Sequence, residues 1–318
     1  MPVDTPTFHL RTPEDMFGTV PYLLGYHPTD SLVVLYLQDD QRVHLFTRHD
    51  LADHPDAIAG HVRALAHKRG ATRVAVLAYG PPSAIDRVRA TVAQLDARLR
   101  VADVYLLAEG RYYCLRCPAC RAAKGLPLDP ATTAAAAHAT LRGLVALPSR
   151  QALVALTLPD QVARAETAEA IAVLRPRGDK PTAVLRFLLE EAADGHRLTT
   201  GQAALMAVML TDIRLRDIAW QATTSLMWQR DLWLDLTRRT PDTHIAAPAA
   251  LAAWCAWMRG EDLLAAAALN RVAAVDADYG MARLVAQGIG TGVPAREIVP
   301  QWPPTADDTL PARHGGEA

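Results

Sequence analysis

Three cysteines, Cys114, Cys117 and Cys120, stand two residues apart in the stretch Cys114-Leu115-Arg116-Cys117-Pro118-Ala119-Cys120. Thiolates so spaced on one loop can converge on a tetrahedral zinc ion, which makes the segment a candidate metal site with zinc as its cofactor. A closed structural site usually draws its ligands from two paired knuckles, and the sequence holds no second C-x-x-C. His138 or His27 would have to supply the fourth ligand. The same thiols also admit redox chemistry, and the plainest reading is cysteines in a turn with no ligand.

A second cluster lies in Gly25-Tyr26-His27-Pro28-Thr29-Asp30-Ser31, which gathers an imidazole, a carboxylate and two hydroxyls between a helix and a strand. Tyr26, His27, Asp30 and Ser31, with the Tyr79-Gly80 turn, form a candidate small-molecule site. The turn runs on as Pro81-Pro82-Ser83 from a strand into a helix, where α/β sheets bind ligands, but it lacks the glycines and lysine of a nucleotide loop. A local account competes: glycine caps the helix, His-Pro forces an extended bend, and Asp-Ser satisfy nearby backbone donors. No G-x-S-x-G elbow presents Ser31 as a nucleophile. Gly288-Ile289-Gly290-Thr291-Gly292 follows a helix and leads to Val293-Pro294, so it reads as a flexible exit and not as a phosphate loop. The tryptophans 220, 228, 233, 254 and 257 read as helix-packing core.

The elements that must carry these groups follow from periodicity. Thr12-Pro13-Glu14-Asp15 supplies a cap, a proline and two acids, so a helix starts at Pro13 and ends at Gly25. Ser31 to Leu37 and Val43 to Arg48 read as a hairpin about the turn Gln38 to Gln41. A helix from Pro55 to Arg69 precedes the apolar run Arg73 to Tyr79, too short for a helix and suited to a strand covered on both faces. Ser83 with Asp86 has the form of a capping box opening the next helix; Val104 to Ala108 and Arg111 to Leu115 complete a mixed sheet of about five strands. From Asp129-Pro130 onward helix signals recur to about residue 290, including a Thr199–Gln202 capping box. The expected organisation is an α/β domain over 1–128, an all-helical domain over 129–300 and a disordered tail over 301–318. Within the helical part, Ala249 to Tyr279, with Gly260 at the turn, resembles one tetratricopeptide unit, a helical hairpin suited to a protein partner.

At 318 residues the chain has length for two self-sufficient cores. With 33 basic and 34 acidic residues the net charge is −1, which disfavours nucleic-acid binding. The sequence shows no apolar run of membrane-spanning length and no signal-peptide pattern, so neither export nor a transmembrane span is expected. Three clustered cysteines and an isolated Cys255 suit cytoplasmic thiols.

The phrase Val20-Pro21-Tyr22-Leu23-Leu24-Gly25-Tyr26-His27-Pro28-Thr29-Asp30-Ser31-Leu32-Val33-Val34-Leu35, the run from Arg111 to Cys120 into Gly125-Leu126-Pro127-Leu128-Asp129, and Ala252, Trp254 and Arg259-Gly260 carry a family resemblance. Together they resemble the bacterial family domain of unknown function 4192, over residues 8 to about 300. The resemblance implies an architecture and two marked segments, and no catalytic residue. The family pattern has one isolated cysteine and then an adjacent pair; Cys114 and Cys120 match it, whereas Cys117 departs from it. The leading expectation is a cytoplasmic interaction or regulatory protein with a partner on its C-terminal helices. The alternative is a small-molecule-binding or hydrolytic α/β domain with its site at Tyr26–Ser31.

Overall fold

The protein was analysed as a computed structural model that describes residue 10 and residues 12–37, 43–97, 99–174, 180–291 and 295–298. The expected turn at 38–41 and the tail over 301–318 lie outside the described residues. The chain divides into two compact units, one ending at Arg150 and one beginning at Gln151.

In the first unit, helix α1 (Pro13–Leu24) opens on a complete capping box. The Thr12 hydroxyl accepts from the Asp15 amide and the Asp15 carboxylate accepts from the Thr12 amide, each at 3.1 Å. The helix stops at Gly25, whose φ of 78° is the left-handed conformation that glycine adopts at little cost. Strands β1 (Ser31–Leu37) and β2 (Val43–Asp50), helix α2 (Pro55–Arg69), strand β3 (Arg73–Tyr79), helix α3 (Ile85–Asp96) and strands β4 (Arg100–Ala108), β5 (Arg111–Cys114) and β6 (Leu126–Pro127) follow, then helix α4 (Ala134–Leu141). The sheet order is β2-β1-β3-β4-β5-β6, so the sheet is mixed and six-stranded. Among the strands of the described residues, only β3 and β4 pair in parallel, through the α3 crossover.

Alternation along β1 sorts the core into two layers. Leu32, Val34 and Tyr36 pack with α2 and α3 through Ile58, Val62, Val88 and Leu95. Val33, Leu35 and Leu37 pack on the other face with Met16, Phe17 and Val20 of α1 and Ala139 of α4. With every residue of β1 buried, the strand is central, as its unbroken apolar run requires. Helix α4 belongs to this unit by packing, although it follows residue 128. The sequence places a helix over Ala131 to Ala146; the observed one is shorter, because Asp129 caps a 3-10 turn (Pro130–Thr132) and Gly143, at φ 75°, ends the segment after Leu141. The Ser83 capping box also fails to form. Proline at 82 drives a 3-10 turn over Pro82–Ala84, which places Ser83 inside that turn, and α3 begins without a side-chain cap.

The second unit is helical: α5 (Arg150–Ala155), α6 (Gln161–Val173), α7 (Pro181–Ala193), α8 (Thr200–Met209), α9 (Ile213–Ala222), α10 (Met227–Arg239), α11 (Ala246–Met258), α12 (Asp262–Ala273), α13 (Gly280–Gly290) and α14 (Ala295–Ile298). Helix α5 straddles the boundary by one residue. The Thr199–Gln202 capping box is present. Small residues let α11 run through the core, with Ala247 to Trp257 buried throughout. Trp220 and Trp254 meet edge to face at 5.6 Å, as do Trp254 and Trp257 at 5.7 Å. Gly288 to Gly290, expected within an exit loop running to Gly292, form the last turn of α13, and Gly292 lies outside the described residues. A Cβ on Gly288 would sit 2.3 Å from Trp257 Cη2, so the glycine serves close helix packing against an indole.

Candidate functional site

The loop after α1 is held by backbone bonds before any side chain acts. Leu147 donates to the Gly25 carbonyl at 2.8 Å and its own carbonyl accepts from His27 at 2.9 Å, a bridge that pins Tyr26 beside the segment following α4. Tyr26 is therefore buried, and burial raises its phenol above the ordinary tyrosine value. At the strand entrance the Ser31 hydroxyl donates to the Thr29 carbonyl at 2.6 Å and accepts from Arg48 Nε at 2.9 Å. Arg48 also pairs with Asp50 at 2.5 Å. With donor and acceptor both engaged and no exposed surface, Ser31 fixes the loop and is not poised as a nucleophile.

The register explains why Arg48 is there. Ser31 pairs with Asp50 on one side and with Tyr79 on the other, while Val33 pairs with Arg48. Side chains two apart on a strand share a face, so Arg48 and Asp50 stand beside Ser31 and Tyr79. Sequence reasoning missed Arg48, Asp50 and Leu147. The hairpin register could have found the first two; no local signal marks Leu147.

Asp30 is the unusual residue of the group. Its φ is 45°, the left-handed region for a non-glycine residue, and its carbonyl accepts from the Leu51 amide at 2.9 Å. The side chain is exposed and turned toward the Tyr79-Gly80 turn: a Cβ built on Gly80 would lie 3.8 Å from Asp30 Oδ1 and 2.6 Å from Leu51 Cδ1. Gly80 thus sits where three segments approach closely at the carboxyl end of β3, and a Cβ there would require the Leu51 side chain to move. Of the six residues expected to bind a ligand, the structure draws Asp30, Ser31, Tyr79 and Gly80 to this sheet end. Tyr26 and His27 lead into it. Asp30, His27 and Gly80 have solvent-accessible surface, whereas Tyr26, Ser31 and Tyr79 are buried. Tyr79 lies edge-on to Phe17 at 5.3 Å, and burial holds its phenol well above the ordinary range.

The cysteine segment leaves the sheet at the end of β5. Cys114 and Cys120 are half-buried and Cys117 is exposed, all three as free thiols. The Cys117 amide donates to Cys114 Sγ at 3.4 Å and the Cys120 thiol donates to the Cys117 carbonyl at 3.2 Å. Desolvation first, and then a hydrogen bond with Cys114, raises the Cys120 thiol above its ordinary value. Among the described residues, no group of three or more histidine, cysteine, aspartate or glutamate side chains is arranged to hold a metal ion. Cys255 is separate, buried on α11, donating to the Thr224 carbonyl at 3.1 Å, with burial pushing its thiol up to about 12.

Two cavities lie away from the Asp30 loop. One, of about 530 Å3, is lined by Glu14, Asp15, Leu128, Asp129 and Thr133. The other, of about 390 Å3, is a groove between α9 and α13 with Trp220 and Met281 in its lining and Arg216, Arg283, Leu284 and Gln287 around them. Among the described residues no helix is long and apolar enough to cross a membrane.

Fold and site define an α/β unit with a tightly held sheet-end loop, followed by a helical unit. The chain belongs to the family described as Domain of unknown function (DUF4192), whose model matches residues 13–296. No curated protein and no solved structure matches it. The family description names no activity.

Proposed function

We propose that the α/β unit binds a small molecule at the carboxyl end of β3, with Asp30 as the principal polar contact and His27 and the Gly80 backbone beside it. The observation that carries this reading is the backbone of Asp30. A left-handed aspartate costs free energy that a glycine would largely avoid, and such outliers cluster at ligand sites. The carboxyl ends of strands are also where open α/β sheets bind ligands. Burial of Ser31, with its hydroxyl proton engaged by the Thr29 carbonyl, argues for binding over hydrolysis, so a sensing or regulatory role fits better than a catalytic one. Free thiols at the surface suit the reducing cytoplasm.

The test is a thermal-shift panel of nucleosides, sugars, amino acids and organic acids against wild type, His27→Ala and Asp30→Ala. Compounds that raise Tm in wild type and lose their effect in both variants, whose own Tm stays near wild type, support the reading. A panel with no response, or responses that survive both substitutions, contradicts it.

A second reading, a protein partner on the C-terminal helices, draws support from the groove between α9 and α13. There Leu284 is 48% exposed beside Met281, which is 2% exposed. The α11–α12 hairpin about Gly260, at φ 76°, is the element to which the tetratricopeptide comparison applies.

A further inference from the structure

We propose that Cys114 and Cys120 are a redox pair that closes to a disulfide when a hydroperoxide oxidises Cys114, with Cys117 outside the chemistry. The peptide of Cys117 sits between the two reacting sulfurs: its N–H is aimed at Cys114 Sγ at 3.4 Å and its carbonyl accepts the Cys120 thiol at 3.2 Å. One residue's backbone therefore positions both thiols. The third side chain projects into solvent. Sequence spacing makes the cysteines equivalent; the fold does not.

The same bonds assign the order of events. Cys114 Sγ receives the Cys117 amide, whereas the Cys120 S–H is engaged in donating to the Cys117 carbonyl, so Cys114 is the sulfur that attacks first. Its sulfur attacks one oxygen of the hydroperoxide, the S–O bond forms as O–O breaks, and the departing alkoxide or hydroxide takes up a proton. Cys114 is then a sulfenic acid and the peroxide has become an alcohol or water. The Cys120 sulfur attacks Cys114 sulfur; S–S forms, S–O breaks, and hydroxide leaves with the Cys120 proton as water. Two thiols lose two electrons and the peroxide gains them. Cys114 ends β5, and Cys120 precedes the 3-10 turn Arg121–Lys124 that leads to β6, so the bond would tie down the loop joining the last two strands of the sheet.

The test uses the full chain, reduced, freed of reductant and treated with hydrogen peroxide, then alkylated in denaturant and mapped by mass spectrometry without reduction. The expected product is a Cys114–Cys120 linkage with Cys117 and Cys255 alkylated, formed equally in Cys117→Ser and reversed by dithiothreitol. In Cys120→Ser, dimedone should label Cys114 as the sulfenic acid. Linkage through Cys117, labelling spread evenly over the three cysteines, or no disulfide at all would overturn the proposal. So would protein that carries one zinc per chain lost on oxidation of these thiols, which would restore the metal reading.

Discussion

His49 gives the α/β unit a built-in sensitivity to acid. The residue is 8% exposed on β2, its Nε2 is 3.1 Å from Thr47 Oγ1, and its ring meets that of His61 edge to face at 5.2 Å. Burial first, then His61, lowers its pKa to about 4, against the partial offset of the Asp53 and Asp50 carboxylates; Arg48 adds to the lowering. A lowered imidazole pKa means that the folded state binds fewer protons than the unfolded chain between pH 6.5 and about 4. Stability from this group is whole above pH 6.5, falls as the pH drops through that window, and levels off below it. At about 1.4 kcal/mol per pH unit the full loss is about 3 kcal/mol, of which about 2 kcal/mol is gone by pH 5. The unit has no tryptophan, all six lying beyond residue 218, so the assay is hydrogen exchange on peptides covering β2 and α2. After correction for intrinsic exchange, opening should rise about 30-fold from pH 7.5 to pH 5 in wild type and by much less in His49→Gln. Equal pH dependence in the two proteins would refute the assignment.

Asp30→Gly should leave stability unchanged or raise it by up to about 1 kcal/mol, because relief of the left-handed backbone outweighs the added chain entropy; a loss above about 1 kcal/mol in urea unfolding would show that the side chain is structural. Gly125→Ala should cost about 2–4 kcal/mol, since Gly125 has φ 81° and a Cβ there would lie 2.5 Å from Tyr113 Cε1; circular dichroism on heating reads the fall in Tm. Trp233→Phe should cost about 2–3 kcal/mol in the helical unit: the indole is fully buried and its Nε1 donates to Thr223 Oγ1 at 3.1 Å. Urea unfolding followed by the remaining tryptophans measures it.

Much of this architecture was legible in the sequence where local chemistry and burial agree. Thr12 and Thr199 each have the acceptor at the right offset, and both capping boxes form. β1 and β3 are unbroken apolar runs because both faces are covered. Ser83 shows the limit: the pattern is right, but the prolines before it impose a tighter turn. β6 is two residues ending in proline, with no periodicity to detect, and it exists because β5 offers an edge. At the candidate site, the loop residues could be named from the sequence, yet which of them face solvent could not. That the Ser31 hydroxyl is held depends on Arg48, 17 positions away, and that Asp30 turns toward Gly80 depends on strand register. The three cysteines are likewise alike in spacing and made unequal in the fold by the peptide of Cys117.

The central claim, a ligand site at the carboxyl end of β3, is tested most directly by 15N NMR of the wild-type chain titrated with the panel compound that raises Tm most. The account predicts shift changes concentrated at the amides of His27, Asp30, Ser31 and Gly80. Changes concentrated instead at Arg216, Met281 and Leu284, or spread evenly over both units, would contradict it.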